Sequence, residues 1–112
     1  MLTRTFKEIL ADLEPIEDLD SLDLYHNGKQ VGVIPNMEGK RGSLAVYAHL
    51  VGHKEGIIDA KKAVYGLELF AELTEKARQH PGDHPNIDRL FEVLNGNHDL
   101  EVRVNYKKAD SK

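Results

Sequence analysis

The chain contains no cysteine and no long apolar run. Without cysteine it can form neither a disulfide, a thiolate metal site nor a cysteine nucleophile, which is typical of proteins from a reducing compartment. The apolar runs are far shorter than the roughly 20 residues that a membrane-spanning helix needs. Arg4 and Lys7 are followed by acidic residues rather than by the apolar segment of a secretory signal. We therefore expect a soluble, cytoplasmic protein.

The composition is that of an ordinary globular domain. Of the 112 residues, 40% are hydrophobic and 30% are charged, close to the averages of folded domains. A chain of this length can bury one core, so we expect a single domain over residues 1–112, with a frayed tail over residues 107–112. The net charge of −4 argues against general attraction to nucleic acid or to an anionic membrane.

The N-terminal segment has the signature of a short helix. Thr5 and Glu8 have the spacing of a capping box, and the apolar residues that follow recur at helical intervals. Pro15 disfavours helical geometry in the residue before it. We expect this helix to end near Leu13.

A β-hairpin follows. Asn27-Gly28 is the residue pair that best tolerates the positive φ angles of a type I′ turn. A two-residue loop at this position pairs His26 with Lys29. The same register predicts that Leu24 faces Val31 and that Leu22 faces Val33, with all four apolar side chains on one face.

The next segment, SLAVYAHLV over residues 43–51, fits two structures. Its alternating pattern favours a third strand. A helix with Ser43 as its N-cap is the alternative, because alanine and leucine are good helix formers.

The remaining elements are two helices and a strand. Helical spacing predicts one long helix over residues 57–79, with Gly66 permitting a close helix crossing, and another that starts at Pro85 and stops at Asn95-Gly96-Asn97. Residues 100–106 alternate as a strand with one buried face. The resulting order is α-β-β-β-α-α-β. We expect an α+β fold, with a mainly antiparallel sheet of about four strands and the helices packed on one face.

Two histidines and a carboxylate occur together in the stretch HPGDHPN, residues 80–86. Backbone requirements explain much of it, because proline and glycine end one helix while Pro85 opens the next. Zinc needs three or four ligands, so His80, Asp83 and His84 would require His49 or His53 as well. We expect a helix-to-helix corner and no cofactor, with a zinc site as the alternative.

His49 and His53 also have the spacing that places two imidazoles on one face of a helix. The metalloprotease glutamate is missing after His49, where Leu50 stands. On the predicted strand the two residues would lie roughly 13 Å apart, too far to share an ion. We therefore interpret them as a strand histidine and a loop histidine.

Positive charge concentrates in the middle of the chain. Residues 29–62 hold six basic and three acidic side chains. Lys29, Lys40, Arg41 and Lys54 are the candidate anion-binding residues. Gly39-Lys40-Arg41-Gly42 formally matches the GXXG loop of KH domains, but that loop joins two helices, whereas a strand precedes it here. We expect a small anion rather than nucleic acid as the ligand.

Two classes of function follow from these residues. The first is a non-enzymatic binding or protein-interaction module, for instance a homodimer, with Tyr25, Tyr47 and Tyr106 or a sheet edge at the partner surface. The second is a metal-dependent or acid-base enzyme that uses the histidines of the 80–84 corner. We favour the first, because no catalytic constellation converges in the sequence.

Two stretches carry a resemblance to a known family. The runs ARQHPGDHPNIDRL, residues 77–90, and SLAVYAHL, residues 43–50, resemble an uncharacterised family of short bacterial proteins. The resemblance covers most of the chain and implies a bacterial cytoplasmic protein. It implies no activity, cofactor or site residue.

Overall fold

The computed structural model describes residues 4–96 and 99–107. Its helices are α1 (Phe6–Asp12), α2 (Arg41–Leu50), α3 (Ala60–Leu69), α4 (Glu72–Gln79) and α5 (Pro85–Gly96). Its strands are β1 (Leu19–His26), β2 (Lys29–Pro35), β3 (Gly56–Ile58) and β4 (Leu100–Tyr106). The strands form an antiparallel sheet in the order β2-β1-β4-β3. The expected α+β class and four-stranded antiparallel sheet are confirmed.

One face of the sheet is buried under the helices, as expected. Leu22 and Leu24 of β1 and Val102 of β4 are buried and belong to the hydrophobic core. Their neighbours Asp23 and Arg103 point to the other face and are partly or fully exposed. This alternation is what an antiparallel sheet with one wet face requires.

The hairpin forms at the predicted turn, but its register differs beyond the first pair. Asn27 and Gly28 have φ angles of 53° and 80°, and His26 pairs with Lys29. A bulge between Leu24 and Tyr25 then shifts the register, so that Leu24 faces Gly32 and Leu22 faces Ile34. The predicted pairs Leu24–Val31 and Leu22–Val33 are wrong.

The shift also changes which side chains are buried. Because side chains alternate along a strand, one extra residue moves the whole set to the other face. Val31 and Val33 are therefore exposed, while Ile34 is fully buried.

The strand predicted over residues 43–51 is wrong; this segment is α2. All five residues from Leu44 to Ala48 are buried, so the helix is covered on several sides and its sequence lacks a polar stripe that would reveal a helical period. The N-cap is Lys40 rather than Ser43. The third strand is instead the three-residue β3, and the order along the chain is α-β-β-α-β-α-α-α-β.

The long helix predicted over residues 57–79 is two helices. Asp59 caps the first of them by accepting a hydrogen bond from the Lys62 N–H at 3.0 Å. Ala71, with φ 53° and ψ −123°, separates α3 from α4. The close crossing at Gly66 is confirmed, since a Cβ there would lie 2.8 Å from Leu90 Cδ1 and 3.0 Å from Leu50 Cδ1.

Two helices start where the sequence predicts. Thr5 and Glu8 form the predicted capping box of α1, and α5 begins at Pro85. Residues 108–112 of the predicted tail, and Asn97 of the predicted helix stop, lie outside the described residues. The Lys107 N–H, at the start of the predicted tail, donates to the Asp18 carbonyl at 2.8 Å.

Candidate functional site

A cavity of about 360 Å³ lies between the N-terminus of α2 and the N-terminus of α5. One wall is formed by residues 39–43 and the opposite wall by residues 83–87. Apolar side chains contribute the rest of the lining: Phe6, Leu10, Phe70 and Leu73. The Lys40-Arg41 loop and the HPGDHPN corner, which the sequence suggested separately, therefore line the same cavity.

The α2 wall is positively charged. Lys40 is the N-cap residue, yet its side chain makes no capping hydrogen bond. The first N–H groups of a helix have no partner within the helix, and the helix dipole adds partial positive charge at this end. The exposed side chains of Lys40 and Arg41 add two full charges. This wall has the chemistry of an anion-binding helix start.

Asn36 holds the Arg41 side chain in place. The Arg41 Nε–H donates to Asn36 Oδ1 at 3.0 Å. The Asn36 amide in turn donates to the carbonyls of Ile16 at 3.0 Å and Leu19 at 2.7 Å. Because a guanidinium carries five N–H donors, this bond at Nε leaves the terminal nitrogens as further donors.

Helix packing explains Gly42. A Cβ at this position would lie 2.9 Å from Phe6 Cε2, and the Phe6 ring stacks on Phe70 with ring centroids 5.5 Å apart. The glycine therefore lets α1 approach α2.

Strand β2 precedes the GKRG loop and a helix follows it, so the helix-loop-helix context of a KH domain is not present at this loop.

The α5 wall, residues 83–87, includes the second part of the HPGDHPN stretch, which forms the expected helix-to-helix corner. Gly82 has φ +96°, which favours glycine, and its N–H donates to Asp88 Oδ2 at 2.9 Å. Asp83 and the half-buried His84 line the cavity. The Asp83 carboxylate adds one negative charge opposite the cations of α2.

Other predicted ligand residues lie elsewhere. Lys29 follows the hairpin turn and Lys54 follows α2, and neither lines the cavity. His80 is the C-cap of α4 and also lies outside the lining. Within residues 4–96 and 99–107, no group of three or more His, Asp or Glu residues could hold a metal ion. The structure does not gather His80, Asp83 and His84 with His49 or His53 into a metal site.

His53 is a loop residue as predicted, but the interpretation of His49 as a strand residue distant from His53 is wrong. His49 lies in the last turn of α2, because residues 43–50 are helical. Its Nδ1 is 2.8 Å from Glu14 Oε1, and His53 Nε2 is 3.7 Å from the same oxygen. His49 Nε2 also lies 3.0 Å from the Tyr65 hydroxyl. Both imidazoles therefore face one carboxylate.

The sequence prediction missed Glu14 and Tyr65. The hydrogen bond from His49 is the largest cause that lowers the pKa of Glu14 below its ordinary value of 4.5. Glu14 therefore stays ionised at neutral pH. The one available signal was the i, i+4 spacing of His49 and His53, which places both on one side of the chain only if residues 43–51 are helical.

The predicted tyrosine surface is wrong for Tyr47. This side chain is fully buried, and its hydroxyl donates to the Asn86 carbonyl at 2.6 Å. Tyr106 is 53% exposed, and the Tyr25 ring is covered by the Arg103 guanidinium at 4.5 Å. A partner surface at Tyr25 and Tyr106 stays a prediction.

Fold and cavity together define a small α+β protein with a charged cleft between two helix starts. Residues 6–104 match a family described as uncharacterised proteins conserved in bacteria (DUF2322). The chain belongs to this family, which confirms the resemblance. No curated protein and no solved structure matches the chain. In the part of the chain that the structure describes, every helix is too short or too polar to cross a membrane.

Proposed function

We propose that the protein is a non-enzymatic binding module for a small anion, held in the cavity between α2 and α5. One observation carries this proposal: Lys40 and Arg41 stand at the start of α2, without a side-chain cap, and face the start of α5 across the cavity. The volume of about 360 Å³ is near the lower end of ligand pockets, which suits a small metabolite.

The charges around the cavity indicate the class of anion. Arg41 can bind a phosphate or carboxylate through paired N–H donors, and Lys40 adds a point charge. Asp83 on the opposite wall repels a second negative group but accepts a hydrogen bond from a hydroxyl. We therefore expect a ligand with one anionic group and a neutral, hydroxyl-bearing part, such as a phosphate monoester of a polyol.

The test is a titration with glycerol phosphate, followed through the backbone amide signals in NMR spectra. We expect the amides of Gly42, Ser43 and Ile87, which line the two walls, to shift together and to saturate. The amides of Asn27 and Gly28 in the hairpin turn do not line the cavity. They serve as the reference and should not shift.

A pair of double variants separates a local site from general charge. Lys40→Ala/Arg41→Ala and Lys29→Ala/Lys54→Ala each remove two positive charges, but only the first pair lines the cavity. Hydrogen bonds to charged groups contribute about 1.5–3 kcal/mol each. We therefore expect the first variant to bind at least about 10-fold more weakly and the second to bind as the native protein does. Equal affinities of native protein and first variant would refute the proposal.

A further inference from the structure

Three side chains from separate segments form a hydrogen-bonded chain at the other end of α2. Glu14 lies between α1 and β1, His49 in the last turn of α2, and Tyr65 in α3. Glu14 Oε1 is 2.8 Å from His49 Nδ1, and His49 Nε2 is 3.0 Å from the Tyr65 hydroxyl. Arg41 and His49 are about 12 Å apart along a helix that rises 1.5 Å per residue, so this chain is distinct from the anion cavity.

The direction of each hydrogen bond follows from the ionised carboxylate. A carboxylate only accepts hydrogen bonds, so the proton of neutral His49 resides on Nδ1 and donates to Glu14. His49 Nε2 then carries a lone pair, and the Tyr65 hydroxyl donates to it. An imidazole in this state can take the proton of the phenol. A nucleophile beside a base that a third group orients is the general arrangement of nucleophilic catalysis.

The surroundings place a second imidazole near the carboxylate and leave the phenol accessible. His53 has the left-handed φ of 63°, and the Tyr106 hydroxyl donates to its carbonyl. Its buried Nε2 faces Glu14 from 3.7 Å and has no hydrogen-bond partner in the described part of the chain. Tyr65, in contrast, is 45% exposed, so a reagent in solution can reach its ring.

We propose that Tyr65 is an activated nucleophile that accepts an acyl group from small activated esters, with His49 as its general base and Glu14 as the positioning residue for His49. The Tyr65 oxygen attacks the ester carbonyl carbon while its proton passes to His49 Nε2. The tetrahedral intermediate then expels the alcohol, which takes the proton back from His49. The products are an ester of Tyr65 and the free alcohol, and no oxidant or further reactant is needed.

The protein contains a matched control residue, Tyr106. Tyr106 is exposed to a similar extent, 53% against 45%, but its hydroxyl donates to a backbone carbonyl, which cannot take the proton. The experiment treats the full chain with p-nitrophenyl acetate at neutral pH and measures the acetylation rate of each tyrosine by peptide mass spectrometry. Hydroxylamine removes acetyl groups from tyrosine and leaves those on lysine, which distinguishes the two.

We expect Tyr65 to react roughly 10- to 100-fold faster than Tyr106, at or below the lower end of general-base catalysis because the site is open to water. In His49→Gln the Tyr65 rate should fall to that of Tyr106, while the Tyr106 rate stays unchanged and reports an intact fold. Equal rates for the two tyrosines in the native protein, or an unchanged Tyr65 rate in His49→Gln, would overturn the proposal.

Glu14→Gln tests the positioning role separately. A glutamine keeps the size of the side chain but removes the negative charge beside His49. Without the carboxylate, the proton of His49 is no longer held on Nδ1, so the Tyr65 acetylation rate should fall while the Tyr106 rate stays unchanged. The nitrogen chemical shifts of the His49 ring report its tautomer, and an unchanged tautomer with an unchanged Tyr65 rate would remove Glu14 from the mechanism.

Discussion

Asn36 is a single side chain that connects three segments of the fold. Its amide nitrogen donates to the carbonyls of Ile16 and Leu19, and its oxygen accepts from the Arg41 guanidinium. It therefore joins the start of β1 to the start of α2 and orients one of the two cations of the cavity. A partly buried carbonyl that loses a hydrogen bond destabilises the fold, so replacing Asn36 should lower the free energy of unfolding.

We expect Asn36→Ala to lower the free energy of unfolding by about 1–3 kcal/mol, since the carbonyls of Ile16 and Leu19 each lose the Asn36 donor, although the Ile16 carbonyl keeps the Leu19 N–H. Urea denaturation measures this change. Gln30→Ala is the control, because Gln30 is exposed and makes a long 3.3 Å bond to Asp23, and surface changes usually stay within about 0.5 kcal/mol. Equal losses in both variants would contradict the bridging role of Asn36.

Four residues that line the cavity could be selected from the sequence alone. Lys40, Arg41, Asp83 and His84 were all candidates, because their residue types and neighbouring glycines are visible locally. That they line one cavity depends on where α2 and α5 begin in space, 44 residues apart in the chain, and no local pattern encodes such a distance. Glu14 and Asn36 carry no local signal of their own: His49 lies 35 residues from Glu14 in the sequence, and the carbonyl partners of Asn36 lie 20 and 17 residues away.

At the scale of elements, prediction succeeded where a short local signal decides the structure. The capping box at Thr5, the Asn27-Gly28 turn and Pro85 each act through neighbouring residues, and the elements they mark are present. It failed for α2, because a helix buried on most sides has no polar face to show its period. It also missed β3, since three residues are too few to establish alternation.

Ala71 explains why one predicted helix is two. Its φ of 53° and ψ of −123° are a backbone conformation that glycine adopts readily and alanine does not. Nothing in the local sequence, neither glycine nor proline, marks the break. The packing of α3 and α4 against the rest of the fold holds alanine in this conformation at a cost that we place at about 1–3 kcal/mol.

Ala71→Gly should therefore stabilise the protein, by up to about 1 kcal/mol after the greater chain entropy of glycine is subtracted. Thermal and urea denaturation report the change. Ala11→Gly, at an exposed position in α1, is the matched control and should destabilise by about 0.5–1 kcal/mol. A stabilising effect at both positions, or at neither, would argue against a strained Ala71.

Gly66 allows α3 to approach α2 and α5. A methyl group there would lie 2.8 Å from Leu90 Cδ1 and 3.0 Å from Leu50 Cδ1, inside a core that cannot absorb extra volume. We expect Gly66→Ala to destabilise by about 1–3 kcal/mol, although alanine is the better helix former. The check is a double-mutant cycle in urea: in the Leu90→Ala background the closer of the two contacts is gone and only the one with Leu50 remains, so the same change should cost less. Additive effects would exclude the contact.

In the molecule as a whole, the positive charges of the candidate anion site and the histidine of the second candidate site lie at opposite ends of one helix. The chain carries a net charge of −4, yet both candidate sites lie on α2, with the cations at its start and His49 in its last turn. The core residues of this helix are buried, so its two ends are the parts that reach solvent. The two candidate sites are therefore separated by nearly the whole length of α2.

Groups whose pKa differs between the folded and unfolded states should make the free energy of unfolding fall at both acid and alkaline pH. Hydrogen bonds from His49 and from the Phe6 N–H lower the pKa of Glu14 and of Glu72 respectively below the ordinary 4.5. A lowered folded-state pKa contributes stability that is present above the unfolded value and is lost as the pH falls through the folded value. Both carboxylates are exposed, so this acid loss should be small.

The alkaline limit should be the steeper one, because burial raises the pKa of Tyr47 well above its ordinary 10.0. Stability from a raised pKa is complete below the unfolded value and is lost as the pH rises from there towards the folded value. We therefore expect the free energy of unfolding to fall above about pH 10. Tyr47→Phe should flatten this fall, although it lowers the plateau through the lost bond to Asn86. Tyr106→Phe, which removes an exposed phenol, should keep the steep fall; if both variants keep it, ionisation of Tyr47 is not its cause.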